Sequence, residues 1–398
     1  MRRRALGAAL YVVWAASPCS AQQEASTRTE LIAREQAQKV DDLHPYVPGK
    51  AEQYLDYAEQ VLTTGLKLHP FFQSAYSGGG FTLGAGYRKF LGGYNNVDVR
   101  GSITFSGYKR IEAEFVAPRL FDRRGFLSVI GGWREATAVG FYGTGTSNSA
   151  DDRVNYGFKQ PYASATLDGR PRRRALVLRA GLEATEWQQT PGTGSAPPID
   201  SAYTPETLPG VGASVTYLRP LVAVALDTRP AAGYARRGGY YGVTYQDYSD
   251  RDGLFGFSQI DYEALQHVPI LRDAWVLSFR GYVSTTATKS GQEIPFFMLP
   301  SVGGGSSLRG FASWRFRDRN SLLLQAEWRA LINRFFDMAV FYDAGKVTAY
   351  SSDLNLAGLK NDAGLGFRFH GPMSTPFRVD FAKGNEGFRI VWAASAVF

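Results

Sequence analysis

The chain has 398 residues, with Gly 44, Tyr 22 and Phe 26 abundant and Cys 1 and Met 4 scarce. Charged residues at 20% against hydrophobic residues at 44% exclude a disordered chain, and no apolar run of about 18 residues follows the start of the chain, which excludes a helical membrane protein. The formal charge is +8, and the excess of about +5 left once the basic start of the chain is removed is too mild to imply nucleic-acid binding.

Residues 1–21 read as a signal peptide. Arg2, Arg3 and Arg4 form its basic start, Ala5 to Ala16 an apolar core too short to span, and Cys19-Ser20-Ala21 the small residues before a cut at Gln22. A lipoprotein acylated at Cys19 is the alternative, and Pro18 argues against it. After such a cut 41 basic residues face 36 acidic ones, a charge of about +5, and no cysteine remains. That suits an oxidising compartment where stability does not rest on disulfides.

Residues 22–67 are polar and lack period-2 alternation, and read as a periplasmic leader. Within them Tyr54, Leu55, Ala58, Val61, Leu62 and Leu66 recur at helical spacing, which predicts a helix over Ala51–Leu66. It is either a surface helix on the leader or one docked at a barrel mouth.

From residue 68 to 398 alternating segments predict an all-β transmembrane antiparallel barrel of about sixteen strands. The expected spans are 68–77, 81–90, 95–106, 109–118, 124–133, 158–168, 174–188 and 212–228 in the first half. The second half holds 238–248, 254–268, 273–287, 321–331, 335–349, 360–370, 375–384 and 387–398. Three long connections, 134–157, 189–211 and 288–320, are separated by even numbers of strands and so emerge on one face, the extracellular one. Ile294–Val302 stays inside the third of them, because another span would break that parity. Asp122-Arg123-Arg124, Arg170-Pro171-Arg172-Arg173-Arg174 and Arg236-Arg237 then lie on periplasmic turns, as solvated charge near headgroups or as a docking patch.

Alternation also assigns faces. Phe388, Ile390, Trp392, Ala394, Ala396 and Phe398 share an apolar lipid face in the last strand. Leu322, Leu324, Ala326, Trp328 and Ala330 oppose Gln325, Glu327 and Arg329, which must point into the lumen because midplane charge costs about 2–4 kcal/mol on the lipid face. Arg280, Asp343, Arg368 and Asp380 join that lumen set.

The most specific stretch is Gly303-Gly304-Gly305-Ser306-Ser307-Leu308-Arg309-Gly310-Phe311. Three further elements follow suit: Gln325-Ala326-Glu327-Trp328-Arg329, Phe341-Tyr342-Asp343-Ala344-Gly345, and upstream Leu226-Asp227-Thr228-Arg229 with Arg236-Arg237-Gly238-Gly239-Tyr240. Together they resemble the BamA/TamA family of outer-membrane insertases and translocators, the bacterial surface antigen family, over about residues 70–398. The resemblance implies that the loop folds back into the lumen. It places Arg309, Gly310 and Phe311 against Glu327, Asp343 and Gly345 as a latch. An arginine in a lumen needs an acidic partner, since an unpaired buried charge is costly; the rival reading is a solvated extracellular Arg309. Trp392 and Phe398 resemble the C-terminal signal by which the barrel assembly machinery receives its substrates. Residues 22–67 are too short for a POTRA module, so the resemblance points to the POTRA-less branch. It also implies a monomer in outer-membrane lipid.

No cofactor, metal or catalytic set is expected. His44, His69, His267 and His370 form no metal-spaced cluster and adjoin no G-x-S-x-G elbow. The expected function is assistance to insertion or translocation of an unidentified protein or lipid client, with no enzymatic step and no nucleic-acid partner. A plugged or gated solute pore, or a surface barrel adhering through Phe141–Tyr156 and Gln189–Gly210, are the alternatives.

Overall fold

A computed structural model describes residues 67–171, 175–271 and 274–397, with isolated positions between 28 and 54. The signal peptide, Arg172 to Arg174 and Phe398 lie outside the described residues. The chain divides into two units, residues 1–54 and 55–398. In the first, Arg28, Ile32, Ala33, Gln36, Lys50, Glu52 and Tyr54 are helical. The helix expected over Ala51–Leu66 is met at Glu52 and Tyr54, and its other residues lie outside the described ones.

The second unit is a 16-stranded antiparallel sheet in which each strand pairs with the next in order. Its strands are β1 (Leu68–Pro70), β2 (Thr82–Leu91), β3 (Asn95–Thr104), β4 (Lys109–Arg119), β5 (Gly125–Phe141), β6 (Val154–Gly169), β7 (Leu176–Pro191), β8 (Ser214–Asp227), β9 (Gly238–Asp250), β10 (Phe257–Ile270) and β11 (Trp275–Thr288). Two short strands, β12 (Ser301–Val302) and β13 (Phe316–Arg317), form a separate hairpin. The sheet continues through β14 (Asn320–Asn333), β15 (Phe336–Thr348), β16 (Lys360–Phe369), β17 (Phe377–Gly384) and β18 (Gly387–Ala393). β11 pairs directly with β14, so the β12–β13 hairpin belongs to the third long loop, as parity requires.

The period of 2 sorts the side chains. Val222, Val224, Leu226, Tyr241, Val243, Tyr245 and Phe279 are exposed on the outer face, where lipid is their solvent. Asp98, Glu112, Gln160, Gln325, Glu327, Asp343 and Asp380 are buried on the inner one. Trp275 and Trp328 meet edge to face, 5.3 Å between ring centroids, near one rim, where amphipathic rings favour the headgroup level.

Both sheet ends are shorter than the alternation predicts. The first strand stops at Pro70 rather than residue 77. Phe71 and Ala75 turn into the buried interior, and Tyr76 stacks on Trp314 at 4.4 Å. Burying those rings outweighs a few more ladder bonds. The last strand stops at Ala393 rather than 398, because its partner β17 begins at Phe377 and the register Arg378↔Ala393 exhausts it. The Ser395 carbonyl then accepts from Arg378 Nε at 3.0 Å. The two ends are close: the Phe81 and Trp392 rings lie 5.0 Å apart.

Connections 142–153, 192–213 and 289–319 share one end, the extracellular one by the rule of long outer loops. Phe141, Tyr156, Phe158, Trp187, Phe296 and Phe297 form one buried cluster there, so the loops fill the upper lumen. Phe141 and Tyr156, at the ends of one stretch considered for adhesion, face inward and are fully buried. At the opposite end the turn 228–237 also folds inward. Tyr234 stacks on His370 at 3.9 Å and its hydroxyl donates to Asp337 Oδ2 at 2.7 Å. Arg329 donates to the Ala235 carbonyl and Thr375 to that of Gly233. Arg236 lies over the Tyr234 ring and Arg237 stays exposed.

Candidate functional site

The β12–β13 hairpin gives the third loop a closed base. Gly303 and Gly304, at φ +122° and +105°, let the chain double back from it toward the barrel wall. A Cβ on Gly303 would lie 2.5 Å from the Ala312 carbonyl oxygen, so this reversal admits no larger residue. The following tetrad is buried: Leu308 and Arg309 at 0% exposure and Phe311 at 1%.

β14 and β15 supply the wall. Gln325 and Glu327 on one strand, and Phe341, Asp343 and Gly345 on the other, fall on the inner face through the register Gln325↔Asp343 and Glu327↔Phe341. Arg309 grips Asp343 with both edges of its fork, Nε to Oδ2 at 2.7 Å and Nη2 to Oδ1 at 2.8 Å. Its Nη1 donates to Glu327 Oε2 at 3.0 Å and lies 3.6 Å from Asp380 Oδ2. The guanidinium sits 3.4 Å above the Phe341 ring centroid. Paired charge-assisted bonds plus a cation–π face are the geometry in which arginine, unlike lysine, is fully occupied.

The wall continues past these residues. Arg368 donates to Glu327 at 2.7 Å and to Asp380 at 2.8 Å, and Arg378 also grips Asp380. Arg378 Nη2 reaches back to the Gly305 carbonyl at 2.6 Å, Gln325 Nε2 to that of Ser307 at 2.9 Å, and Arg280 to that of Ser306 at 3.3 Å. The loop is therefore held by its backbone as well as by Arg309. Gly310 is required by space: a Cβ there would lie 2.6 Å from Asp362 Cβ and 2.8 Å from the Gly384 nitrogen. Gly345 acts less directly, since its Cβ would meet the Leu322 carbonyl of β14 at 2.8 Å and Leu308 only at 3.6 Å.

Arg309, Gly310, Phe311, Glu327, Asp343 and Gly345 are thus brought together. Trp392 lies elsewhere, exposed beside Phe81, and Phe398 lies outside the described residues. Sequence reasoning counted Arg368 and Asp380 among the lumen charges without joining them to Arg309, and it missed Arg378 and the distal half of the loop. There Trp314, at φ +62°, donates to the Ser77 carbonyl at 3.0 Å and stacks on Tyr76 beyond β1. Arg315 pairs with Glu386 in the β17–β18 turn at 2.8 Å and with the Asn148 carbonyl at 2.6 Å. Arg317 donates to the Tyr156 hydroxyl at 2.8 Å. Aromatic and arginine residues alternating through Trp314-Arg315-Phe316-Arg317 were the available signal; solvent-facing loops seldom carry such a run. The same loop consequently touches both ends of the sheet.

A Ser–His pair also went unread: Ser278 Oγ and His267 Nδ1 lie 2.7 Å apart. Both are buried.

A search of curated proteins finds no match. Among solved structures, the chain is similar to BamA from Haemophilus ducreyi lacking POTRA domains 1–3, with a TM-score of 0.60 at 17% identity, covering 80% of this chain and 68% of that one. It is also similar to CdiB from Escherichia coli, with a TM-score of 0.55 at 14% identity, covering 82% of this chain and 62% of that one. About a third of each neighbour therefore has no counterpart here. The family model of the Omp85 superfamily domain matches residues 89–388, a stretch that includes the whole loop, its acidic wall and most of the sheet. The chain belongs to the Omp85 superfamily, as a β-barrel of the Gram-negative outer membrane.

Proposed function

We propose that the barrel assists insertion or translocation of a protein or lipid client at the outer membrane, with the third loop as an internal latch. The observation that carries this reading is Arg309, fully buried and gripped by Asp343 and Glu327. A loop needed only as surface cover would have no reason to commit a charge to the lumen. The latch spans the two sheet ends through Trp314 on the β1 side and Arg315 on the β18 side. β1 contributes only the pairs Leu68↔Tyr87, His69↔Gly86 and Pro70↔Ala85, and proline cannot donate to a ladder. A first strand this short, interrupted by proline, offers β18 little ladder, and separation of the two sheet ends is the route by which the barrel opens sideways.

Purified protein in liposomes tests this. Insertion of an unfolded barrel client should be faster than into empty liposomes, and Arg309→Ala should remove the gain. Cysteines replacing Phe81 and Trp392, once oxidised, should also abolish it. Unchanged activity in the oxidised variant would rule out lateral opening.

The second reading, a gated pore, is favoured by the fillings at both mouths: the aromatic cluster above and the turn 228–237 below. In that case the liposomes would show ionic conductance without faster insertion.

A further inference from the structure

The periplasmic mouth holds a second charged constellation, away from the loop and its wall. A cavity of about 510 Å³ lies against the inner ends of β5 to β9. Arg123, Arg124, Arg170, Arg179 and Arg229 line it, with Asp168 and Asp227 as its carboxylates. Five guanidiniums against two carboxylates leave three positive charges in excess. Asp168 and Arg179 face the lumen: they are register partners, and the neighbouring Leu167 and Leu178 are exposed on the outer face.

The carboxylates are already committed. Asp168 takes both edges of Arg179, at 2.5 and 2.7 Å. Asp227 takes Arg229 at 3.0 Å and lies 3.7 Å from Arg170. Among the described residues no carboxylate comes within ion-pair distance of Arg123 or Arg124.

The turn that presents these two arginines is strained. Phe121, Asp122 and Arg123 have φ of +51°, +57° and +67° in succession, a conformation costing about 1–2 kcal/mol per non-glycine residue. It is closed by Arg124 N donating to the Leu120 carbonyl at 3.0 Å and is tied to the next turn by Arg170 N donating to the Arg124 carbonyl at 2.6 Å. Held strain of this kind clusters at ligand sites.

We propose that this cavity binds a phosphate-bearing anion, with Arg123 and Arg124 as its principal contacts and Arg179 and Arg229, oriented by their aspartates, behind them. A compact tetrahedral anion suits converging guanidinium forks. An extended peptide suits the site less well. The strands here are paired on both sides, β6 with β7, β7 with β8 and β8 with β9, so no free edge offers backbone bonds.

Isothermal titration calorimetry on the full chain in uncharged detergent tests this. The probes are inorganic phosphate, glycerol phosphate and short-chain phosphatidylglycerol. Saturable binding of at least one is expected, weakened 10-fold or more in Arg123→Gln/Arg124→Gln and by added salt. Ala232→Trp, which fills the cavity while leaving every arginine in the sequence, should weaken it similarly and guards against a misfolded double variant. Tighter binding of the lipid identifies a headgroup as the source of the phosphate, and equal binding a soluble ester. The proposal is overturned by no saturable binding, by variants within twofold of wild type, or by hexaglutamate binding more tightly than every phosphate probe.

Discussion

Arg309→Met is the most informative single perturbation. It deletes both bonds to Asp343, the bond to Glu327 and the contact with Phe341, while keeping an unbranched side chain in the space. Glu327 and Asp380 retain Arg368 and Arg378, but Asp343 keeps no cation, only Gln325 Nε2 at 3.1 Å and the backbone nitrogen of residue 309 at 3.5 Å. Removing one partner of a buried pair costs about 3–5 kcal/mol. The sheet keeps its ladders, so this cost falls on the loop's closed state. At 1.4 kcal/mol per factor of ten, the open population should rise by roughly 10²-fold to several 10³-fold. Trypsin reads it out directly, because Arg315, Arg317 and Arg319 remain in the loop. With opening fast relative to cleavage, the cut rate follows the open population. Asp343→Asn in the same chain should recover part of the loss by neutralising the orphaned carboxylate. Arg309→Lys, which keeps the charge without the fork, should fall between. Cleavage of Arg309→Met within about twofold of wild type, in a barrel that still resists heat and detergent, would refute the reasoning.

Gly310→Ala should push the loop off Asp362 and Gly384; overpacking at about 1–3 kcal/mol predicts tryptic cleavage of the loop raised by roughly 5- to 100-fold, measured in the same assay. Trp314→Ala removes the Tyr76 stack and the bond to Ser77. Hydrogen exchange over residues 71–80 should accelerate about 10-fold, at roughly 1–2 kcal/mol, with exchange in β7 and β8 unchanged. Tyr234→Phe strips Asp337 of its 2.7 Å donor, at about 1–3 kcal/mol for the polar group left behind. Faster exchange in residues 228–237, with more frequent conductance bursts in planar bilayers, is the expected outcome.

Much of the fold was legible because membrane strands must satisfy two solvents at once. Val222, Val224 and Leu226 answer to lipid while the residues between them answer to the lumen; in β14 Leu324, Ala326 and Trp328 are half-buried between buried Gln325 and Glu327, whereas Leu322 and Ala330 at the two ends are themselves covered. That constraint repeats in each strand and needs no long-range information. The same alternation turned Glu327 and Asp343 inward before any contact was known. Strand ends were less legible where a competing contact intervened. Residues 71–77 alternate well enough for a strand, but Tyr76 finds Trp314 more than two hundred residues away.

The sequence by itself determined that there are about sixteen strands, the shared face of the three long loops and the inward acids, because each follows from local period and parity. Only the tertiary structure decided that Arg309 shares its wall with Arg368 and Arg378, that Trp314 and Arg315 join opposite ends of the sheet, and that four arginines from three turns meet a fifth from β7 in one cavity. Curling the sheet until its ends approach makes distant residues neighbours, and no local pattern records which distant side chains will then face each other across the lumen.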